Sequence, residues 1–172
     1  MSDSDNRDNI AFIALGSNMG APLQNIKDAI ALLKQSHVEI LKESPYYLTK
    51  PYGYRDQPDF VNSAVMVKIS LSVKGLFSLL KSIEKKMGRE QGVKYGPRVI
   101  DLDIIFFNRL IYQDVVITIP HPKMQERSFV LYPLCDLDKD FVHPLFKKTL
   151  GTLKNQLVED FGIKRIEAHE AS

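Results

Sequence analysis

Lys94-Tyr95-Gly96-Pro97-Arg98-Val99-Ile100-Asp101-Leu102-Asp103-Ile104-Ile105-Phe106-Phe107 changes character at its middle. It begins as a basic segment broken by Gly96 and Pro97. From Val99 it is β-branched, aliphatic and aromatic except at Asp101 and Asp103, a composition that predicts a strand over Val99 to Phe107. Side chains in a strand alternate faces, so carboxylates at i and i+2 leave the same side, one repeat apart. Two anions that close together in an apolar strand are costly unless a cation stands between them. A divalent metal could supply that charge, and so could Arg98 and Lys94 just upstream; the pattern leaves both readings open.

The segment before the strand reinforces the cationic side. Gly88 to Pro97 holds three glycines and no apolar periodicity, which predicts an exposed, mobile loop. Lys85, Lys86, Arg89, Lys94 and Arg98 face only Glu90 between Lys85 and Arg98, a local net charge of about +4. The whole chain hides this patch: over 172 residues, 23 Lys and Arg stand against 21 Asp and Glu, a formal net charge of +2. That balance excludes a general nucleic-acid or membrane binder, so an anionic partner must be met locally.

Upstream, Ile10 to Leu15 is an uninterrupted apolar run, the mark of a strand buried on both faces. Gly16-Ser17-Asn18-Met19-Gly20-Ala21-Pro22 breaks it; this loop is either a plain turn or a set of backbone N–H groups offered to a ligand. A helix over Pro22 to Ser36 follows, with Leu23, Ile26, Ala29, Ile30 and Leu33 at three- and four-residue steps. Val38 to Thr49 is extended, with an edge or bulge at Pro45. Lys50 to Pro58 is a long aromatic loop, and Phe60 to Ile69 returns antiparallel to the second strand with Phe60, Asn62, Ala64 and Met66 on one face. Strands deplete Asn, so Asn62 is either solvated near the loop or buried to read a polar ligand edge. A second helix from Ser72 carries Val73, Leu76, Phe77, Leu79, Leu80 and Ile83 inward and stops at Gly88.

Beyond the acid-bearing strand, Asn108-Arg109 predicts a turn into a small hairpin over Leu110 to Gln113. His121, held between Pro120 and Pro122, is either rigidly aimed at a ligand or a surface turn residue. Lys123 to Leu137 reads as a helix kinked or broken at Pro133, Leu145 to Val158 as a last amphipathic helix, and Ile163 to Ile166 as an edge strand. The order βαββαβ with C-terminal additions predicts an α+β, ferredoxin-like sheet with both helices on one face. One domain spanning residues 10–172 is expected after a polar, disordered start over residues 1–9, and Cys135 should be a buried small residue. A single cysteine, no apolar leader and no run of membrane-spanning length lead to the expectation of a cytoplasmic, soluble protein, and a monomer is expected.

A mobile basic loop beside paired carboxylates suits a polyphosphate with magnesium, which takes a few carboxylates plus phosphate oxygens and water. Two such ions could clamp an in-line displacement. The familiar nucleotide loops are missing: there is no G-x-x-x-x-G-K-[ST], and no G-x-G-x-x-G follows the first strand. A metal-dependent phosphohydrolase would use the same acids and loop, whereas an RNA-binding module of this topology would need an RNP-type strand that the chain does not have.

Lys94-x-Gly96-Pro97-Arg98-x-x-Asp101-Leu102-Asp103-Ile104-Ile105 resembles the signature of the 6-hydroxymethyl-7,8-dihydropterin pyrophosphokinases of folate biosynthesis. The resemblance extends to Ala14-Leu15-Gly16-Ser17-Asn18, to Asp56-Gln57-Pro58-Asp59-Phe60-x-Asn62 and to Pro120-His121-Pro122-x-Met124-x-x-Arg127-x-Phe129. It implies transfer of the β,γ-pyrophosphoryl group of ATP to the hydroxymethyl oxygen of the pterin, with release of AMP. It further implies two Mg2+ ions held by Asp101 and Asp103, and phosphates met by Arg89, Lys94, Arg98, His121 and Arg127. The pterin would lie between Phe60 and Phe129 and pair with Asn62, near the backbone of Thr49 and Gly53. Gln57, Ile104 and Thr118 would stand around pterin or adenine. The basic loop departs from the family pattern at Gln91, Lys94 and Tyr95, and a lysine lacks the bidentate fork of arginine.

Overall fold

The computed structural model describes residues 8–51, 53, 55–88 and 96–167. Its centre is β1, Asn9–Ser17, buried from Ala11 to Ser17 as an apolar run with no polar interruption demands. α1 (Pro22–Gln35) follows, with Pro22 in its first turn and Leu23, Ile26, Ala29, Ile30 and Leu33 buried. β2 (Glu39–Glu43), β3 (Tyr46–Thr49) and β4 (Phe60–Ile69) come next, then α2 (Val73–Lys86) and β5 (Asp101–Phe107). The sheet order is β5-β1-β4-β3-β8, the last being the C-terminal strand β8 (Lys164–Ile166), with β2 also on β4, and every pairing is antiparallel. With β2 and β3 taken as one broken strand, this is the ferredoxin-like order. The break falls at Ser44-Pro45, where Ser44 replaces the interrupted ladder: its N–H donates to the Ala64 carbonyl at 2.9 Å and its Oγ accepts from the Ala64 N–H at 2.8 Å.

Alternation along the strands divides the interior in two. On one face Ile13 and Leu15 of β1 and Leu102 of β5 pack with Ile26, Leu33, Leu76 and Leu80 of α1 and α2. On the other, Phe12, Ala64 and Phe106 meet the C-terminal additions through Leu131, Leu134 and Leu150. Each fully buried aliphatic or aromatic side chain contributes about 1.5–3 kcal/mol by leaving water. Ser72 caps α2, its Oγ accepting from the Gly75 N–H at 3.1 Å, and Gly88, at φ +88°, takes the left-handed turn that ends it. Phe77 and Leu79 are only partly buried against the core.

Several boundaries move. β5 starts at Asp101 rather than Val99. The small hairpin joins β6 (Tyr112–Gln113) to β7 (Thr118–Ile119), a pair separate from the main sheet, because Asp114 Oδ1 accepts from the Val116 and Ile117 N–H groups at 2.7 Å each and turns the chain there. The expected helix over Lys123 to Leu137 is broken at Arg127, not at Pro133. Met124–Glu126 is a short 3-10 turn, Arg127 is extended at φ −115° and ψ 105°, and α3 runs Ser128–Asp138 with Pro133 inside it. The last helix, α4, shrinks to Leu150–Asn155 behind the cap of Thr149, because His143 to Lys148 are spent in a turn. β8 (Lys164–Ile166) forms the expected edge strand on β3. Cys135 is half-buried rather than buried, and its partial burial pushes the thiol up to about 11. Residues 1–7 of the expected N-terminal segment, and 89–95 of the expected loop, lie outside the described residues. Among the described residues no helix is long and apolar enough to cross a membrane.

The turn before α4 is held by His143, 1% exposed, whose Nδ1 accepts from the N–H groups of Leu145 and Phe146 at 3.1 Å each. Its ring stacks on Phe146 at 4.2 Å. Burial pushes its pKa below the ordinary imidazole value. The unfolded chain therefore takes up this proton first. The stabilisation is complete above about pH 6.5 and is lost as pH falls toward the lower folded value. Urea midpoints are expected to drop between pH 7 and 5, and His143→Phe, which keeps a ring but no acceptor, should lose its share of that slope; identical slopes in the two proteins would refute the assignment.

Candidate functional site

The site begins with the shrinking side chains of β1. On the face away from α1 and α2, β1 presents Phe12, then Ala14, then Gly16. Phe12 fills the core, while the two small residues leave open floor. Register places Gly16 between Asn62 of β4 and Asp101 of β5, and Ala14 between Ala64 and Asp103. The shared face predicted for the two acids is thus realised over a floor that no large side chain fills. The resulting cavity, about 250 Å³, is lined by both acids, Arg98, Thr49, Phe60 and Asn62, and from the covering segment by His121, Arg127, Phe129 and Val130.

Asn62 is the buried alternative of the two that its sequence position allowed. It is 4% exposed and donates from Nδ2 to Thr49 Oγ1 at 2.7 Å, which fixes the orientation of its amide. A Cβ on Gly16 would stand 3.0 Å from Asn62 Oδ1, closer than ordinary contact, so the glycine leaves the amide its room. Phe60 lines the cavity from the sheet and Phe129 from the helix packed over it. Arg127 Cζ lies 5.6 Å from the Phe129 ring centroid, and Phe161 meets the same ring edge-on at 6.2 Å. The residues after α4 therefore buttress this wall: Ser128 Oγ donates to the Asp160 carbonyl at 2.6 Å, and the Lys50 N–H to that of Phe161 at 3.0 Å. No local pattern in the sequence announces the role of Phe161.

A second cavity, about 320 Å³, adjoins the first and shares Asp103 and His121 with it. Ile104 and Thr118 line it, together with Phe77, Leu80 and Lys81 of α2 and the β6–β7 tip at Val116 and Ile117. Lys81 Nζ bonds the buried Glu84 carboxylate at 3.2 Å, and Glu84 also accepts from the Leu102 N–H at 3.3 Å, between the two acids. His121 belongs to the site rather than to a surface turn. Its N–H donates to the Ile105 carbonyl at 3.1 Å and its Nδ1 accepts from the Lys123 N–H at 3.2 Å, which leaves Nε2 to carry the proton of the neutral ring. Burial lowers its pKa; Arg127 and Lys123 push the same way and Asp103 opposes them.

Asp101, Asp103, Arg98, Thr49, Phe60, Asn62, His121, Arg127 and Phe129 are thus brought together, and Ile104 and Thr118 meet in the adjoining space. Gly53 lines neither cavity and is exposed at φ +81°. Gln57 lines neither, but binds Asn18 behind the first. Arg89 and Lys94, with Gln91 and Tyr95, lie outside the described residues. Sequence reasoning passed over Lys50 and Lys81, and read Gly16 as part of a turn or a set of backbone donors rather than as cavity floor. A glycine inside a buried strand was the available signal for Gly16, while Lys50 and Lys81 resemble solvated charge until the fold turns them to the cavities.

Residues 12–139 match the family described as 7,8-dihydro-6-hydroxymethylpterin-pyrophosphokinase. Over 130 residues the chain is 46% identical to the 2-amino-4-hydroxy-6-hydroxymethyldihydropteridine pyrophosphokinase of Bacillus subtilis, covering 75% of this chain and 78% of that protein. It is 40% identical over 148 residues to the folic acid synthesis protein fol1 of Pneumocystis carinii, covering 86% of this chain, and spans 20% of that relative's length. In fold it is similar to a crystal structure of Plasmodium falciparum HPPK-DHPS with pterin and p-hydroxybenzoate, at a TM-score of 0.75 and 18% identity over 95% of this chain and 48% of that one. By the family match over most of its length and by its likeness to the Bacillus enzyme, the chain belongs to the 7,8-dihydro-6-hydroxymethylpterin-pyrophosphokinase family of folate synthesis.

Proposed function

We propose that the chain transfers the β,γ-pyrophosphoryl group of ATP to the hydroxymethyl oxygen of 6-hydroxymethyl-7,8-dihydropterin, giving the pterin diphosphate and AMP in the cytoplasm. The observation that carries this reading is the pair of adjoining cavities with Asp103 and His121 at their junction. The first cavity offers two aromatic side chains and an oriented amide to a flat, polar-edged ring. The second offers apolar walls to a base, with Thr118 and Lys81 as polar groups. A phosphohydrolase would have no use for the first.

The donor set fits magnesium. Asp101 and Asp103 are hard oxygen ligands lining one cavity over a floor of Ala14 and Gly16, with room for the phosphate oxygens and water that magnesium prefers as its remaining ligands. Bound there, two Mg2+ ions would neutralise phosphate charge and acidify the pterin hydroxyl. The protein's own part is positioning and charge. Phe60 and Phe129 hold the ring, Asn62 sets its rotation, and the cations of Arg98 and Arg127 meet phosphate oxygens. His121, with Nε2 carrying its proton, donates a hydrogen bond to one of those oxygens. Arg89 and Lys94 are proposed to add charge from the basic loop.

Incubation with Mg-ATP should give AMP only when the hydroxymethylpterin is present; ADP, or AMP formed equally without pterin, would sink the reading. Asp101→Asn and Asp103→Asn are each expected to lower turnover by about a hundredfold or more while leaving the thermal midpoint near wild type, and near-native activity in either would refute the metal role. Gly16→Ala should raise KM for the pterin roughly tenfold, because the new Cβ presses on Asn62 Oδ1 and shifts the amide that Thr49 holds in place. KM for ATP should stay within about twofold, and an equal rise in both would show that the glycine does not serve the pterin side.

A further inference from the structure

Residues 159–162 form a turn between α4 and β8 that two carboxylates tie to itself. Glu159 Oε1 accepts from the Phe161 N–H at 2.8 Å, and Asp160 Oδ1 from the Gly162 N–H at 2.9 Å. Two consecutive residues in the turn are left-handed, Phe161 at φ +57° and Gly162 at φ +61°. Gly162 suits that conformation, and it also leaves passage for the stem of Lys50, whose Cε would stand 3.2 Å from a Cβ there. Phe161 does not suit it. A bulky side chain is strained in that region, and such a residue persists where its surroundings hold it in place. Glycine or asparagine would turn the chain at less cost, so the choice of phenylalanine points to its ring.

The turn joins the two walls of the first cavity. The Asp160 carbonyl accepts from Ser128 Oγ at 2.6 Å, and Ser128, fully buried, stands directly before Phe129 in α3. The next carbonyl, that of Phe161, accepts from the Lys50 N–H at 3.0 Å, and Lys50 stands directly after Thr49, which holds the Asn62 amide. Adjacent carbonyls thus tie the helix wall to the sheet wall, while the Phe161 ring meets Phe129 edge-on at 6.2 Å. Past the turn, β8 pairs with β3 from Tyr46 to Leu48 and anchors it to the sheet a second time. For α3 to draw away from β3, the Ser128 bond must break or the turn must leave Lys50. Phe129 lines the first cavity and not the second. We infer that this turn sets the width of the slot for the pterin ring, and that Phe161 is a positioning residue that acts through Phe129 on the pterin and not on ATP. This rests on the pyrophosphokinase reading above, from which it takes the identity of the flat ligand.

Phe161→Gly separates the ring from the turn, because glycine accepts φ +57° without strain and keeps the backbone carbonyl. Loss of one edge-on aromatic contact should raise KM for the hydroxymethylpterin about threefold to tenfold. KM for ATP should stay within about twofold of wild type, with the thermal midpoint little changed. Phe161→Tyr keeps the ring and should return the pterin KM to within about twofold of wild type; failure to do so overturns the role of the ring. Ser128→Ala removes one tie with the ring in place and should raise the pterin KM in the same selective way, and no rise there overturns the bridge between the walls. A pterin KM within about twofold of wild type in Phe161→Gly, whatever its turnover, overturns the inference. A turn that only stabilised the fold would lower the midpoint and raise both KM values alike, which also overturns it. Should Phe161→Gly fail to fold, Ser128→Ala decides by the same comparison of the two KM values. Absence of pterin-dependent AMP from the wild-type protein is a separate result, which removes the pyrophosphokinase reading and this inference together.

Discussion

The register of β1 against its two neighbours is the constraint on which the site depends. Antiparallel pairing sets Gly16 between Asn62 and Asp101, and Ala14 between Ala64 and Asp103, so the groups proposed for the pterin edge and for the metal are separated by one strand of small residues. A slip of one residue would turn every side chain of β1 over. Phe12, Ala14 and Gly16 would then point toward α1 and α2, while Ile13 and Leu15 would fill the cavity floor. The burial of Ile13 and Leu15 on the helix side opposes this strongly, since both are 2% exposed or less. The same hydrophobic packing that holds the sheet together therefore keeps the floor of the site open on its other face.

Around this floor the structure uses polar groups to fix segments that sheet pairing does not reach. Asn18 holds the approaches to β4 and β5, Glu84 occupies the Leu102 N–H on the free edge of β5, and Asp114 shapes the β6–β7 tip that walls the second cavity. Within the sheet itself, Thr49 fixes the side-chain amide of Asn62. Each is a local bond of modest net worth, about 1 kcal/mol, but a buried partner left unsatisfied costs more than the bond contributes. Their shared effect is to reduce the reorganisation left for a ligand to impose, which suits the proposed transfer by positioning and charge.

The C-terminal additions form the other half of the pocket. α3 brings Phe129 and Val130 over the sheet, the 3-10 turn before it aims Arg127, and Asp160 and Phe161 secure that wall from behind. The break at Arg127 follows from this task. A continuous helix from Lys123 would carry Arg127 and Phe129 on one rigid spiral, whereas the extended residue between the two helical turns lets Met124 enter the core and Phe129 enter the cavity.

Local chemistry along the chain was enough to determine the order of the elements, the shared face of the two acids, most of the helix faces and the oddity of Asn62. Each depends on a period of two or 3.6 residues, on a turn residue, or on a charge placed where strands exclude it. The long motif from Lys94 to Ile105 likewise carries the family resemblance in its residues alone. Tertiary structure alone decided what depends on residues far apart in the chain. It set Asn18 against Arg98 and Gln57, Phe161 behind Phe129, Lys81 beside Ile104 and Thr118, and His121 at the meeting of two cavities. The physical reason is range: periodicity reports which side of its own element a residue faces, whereas the partner it meets there is chosen by how the elements pack.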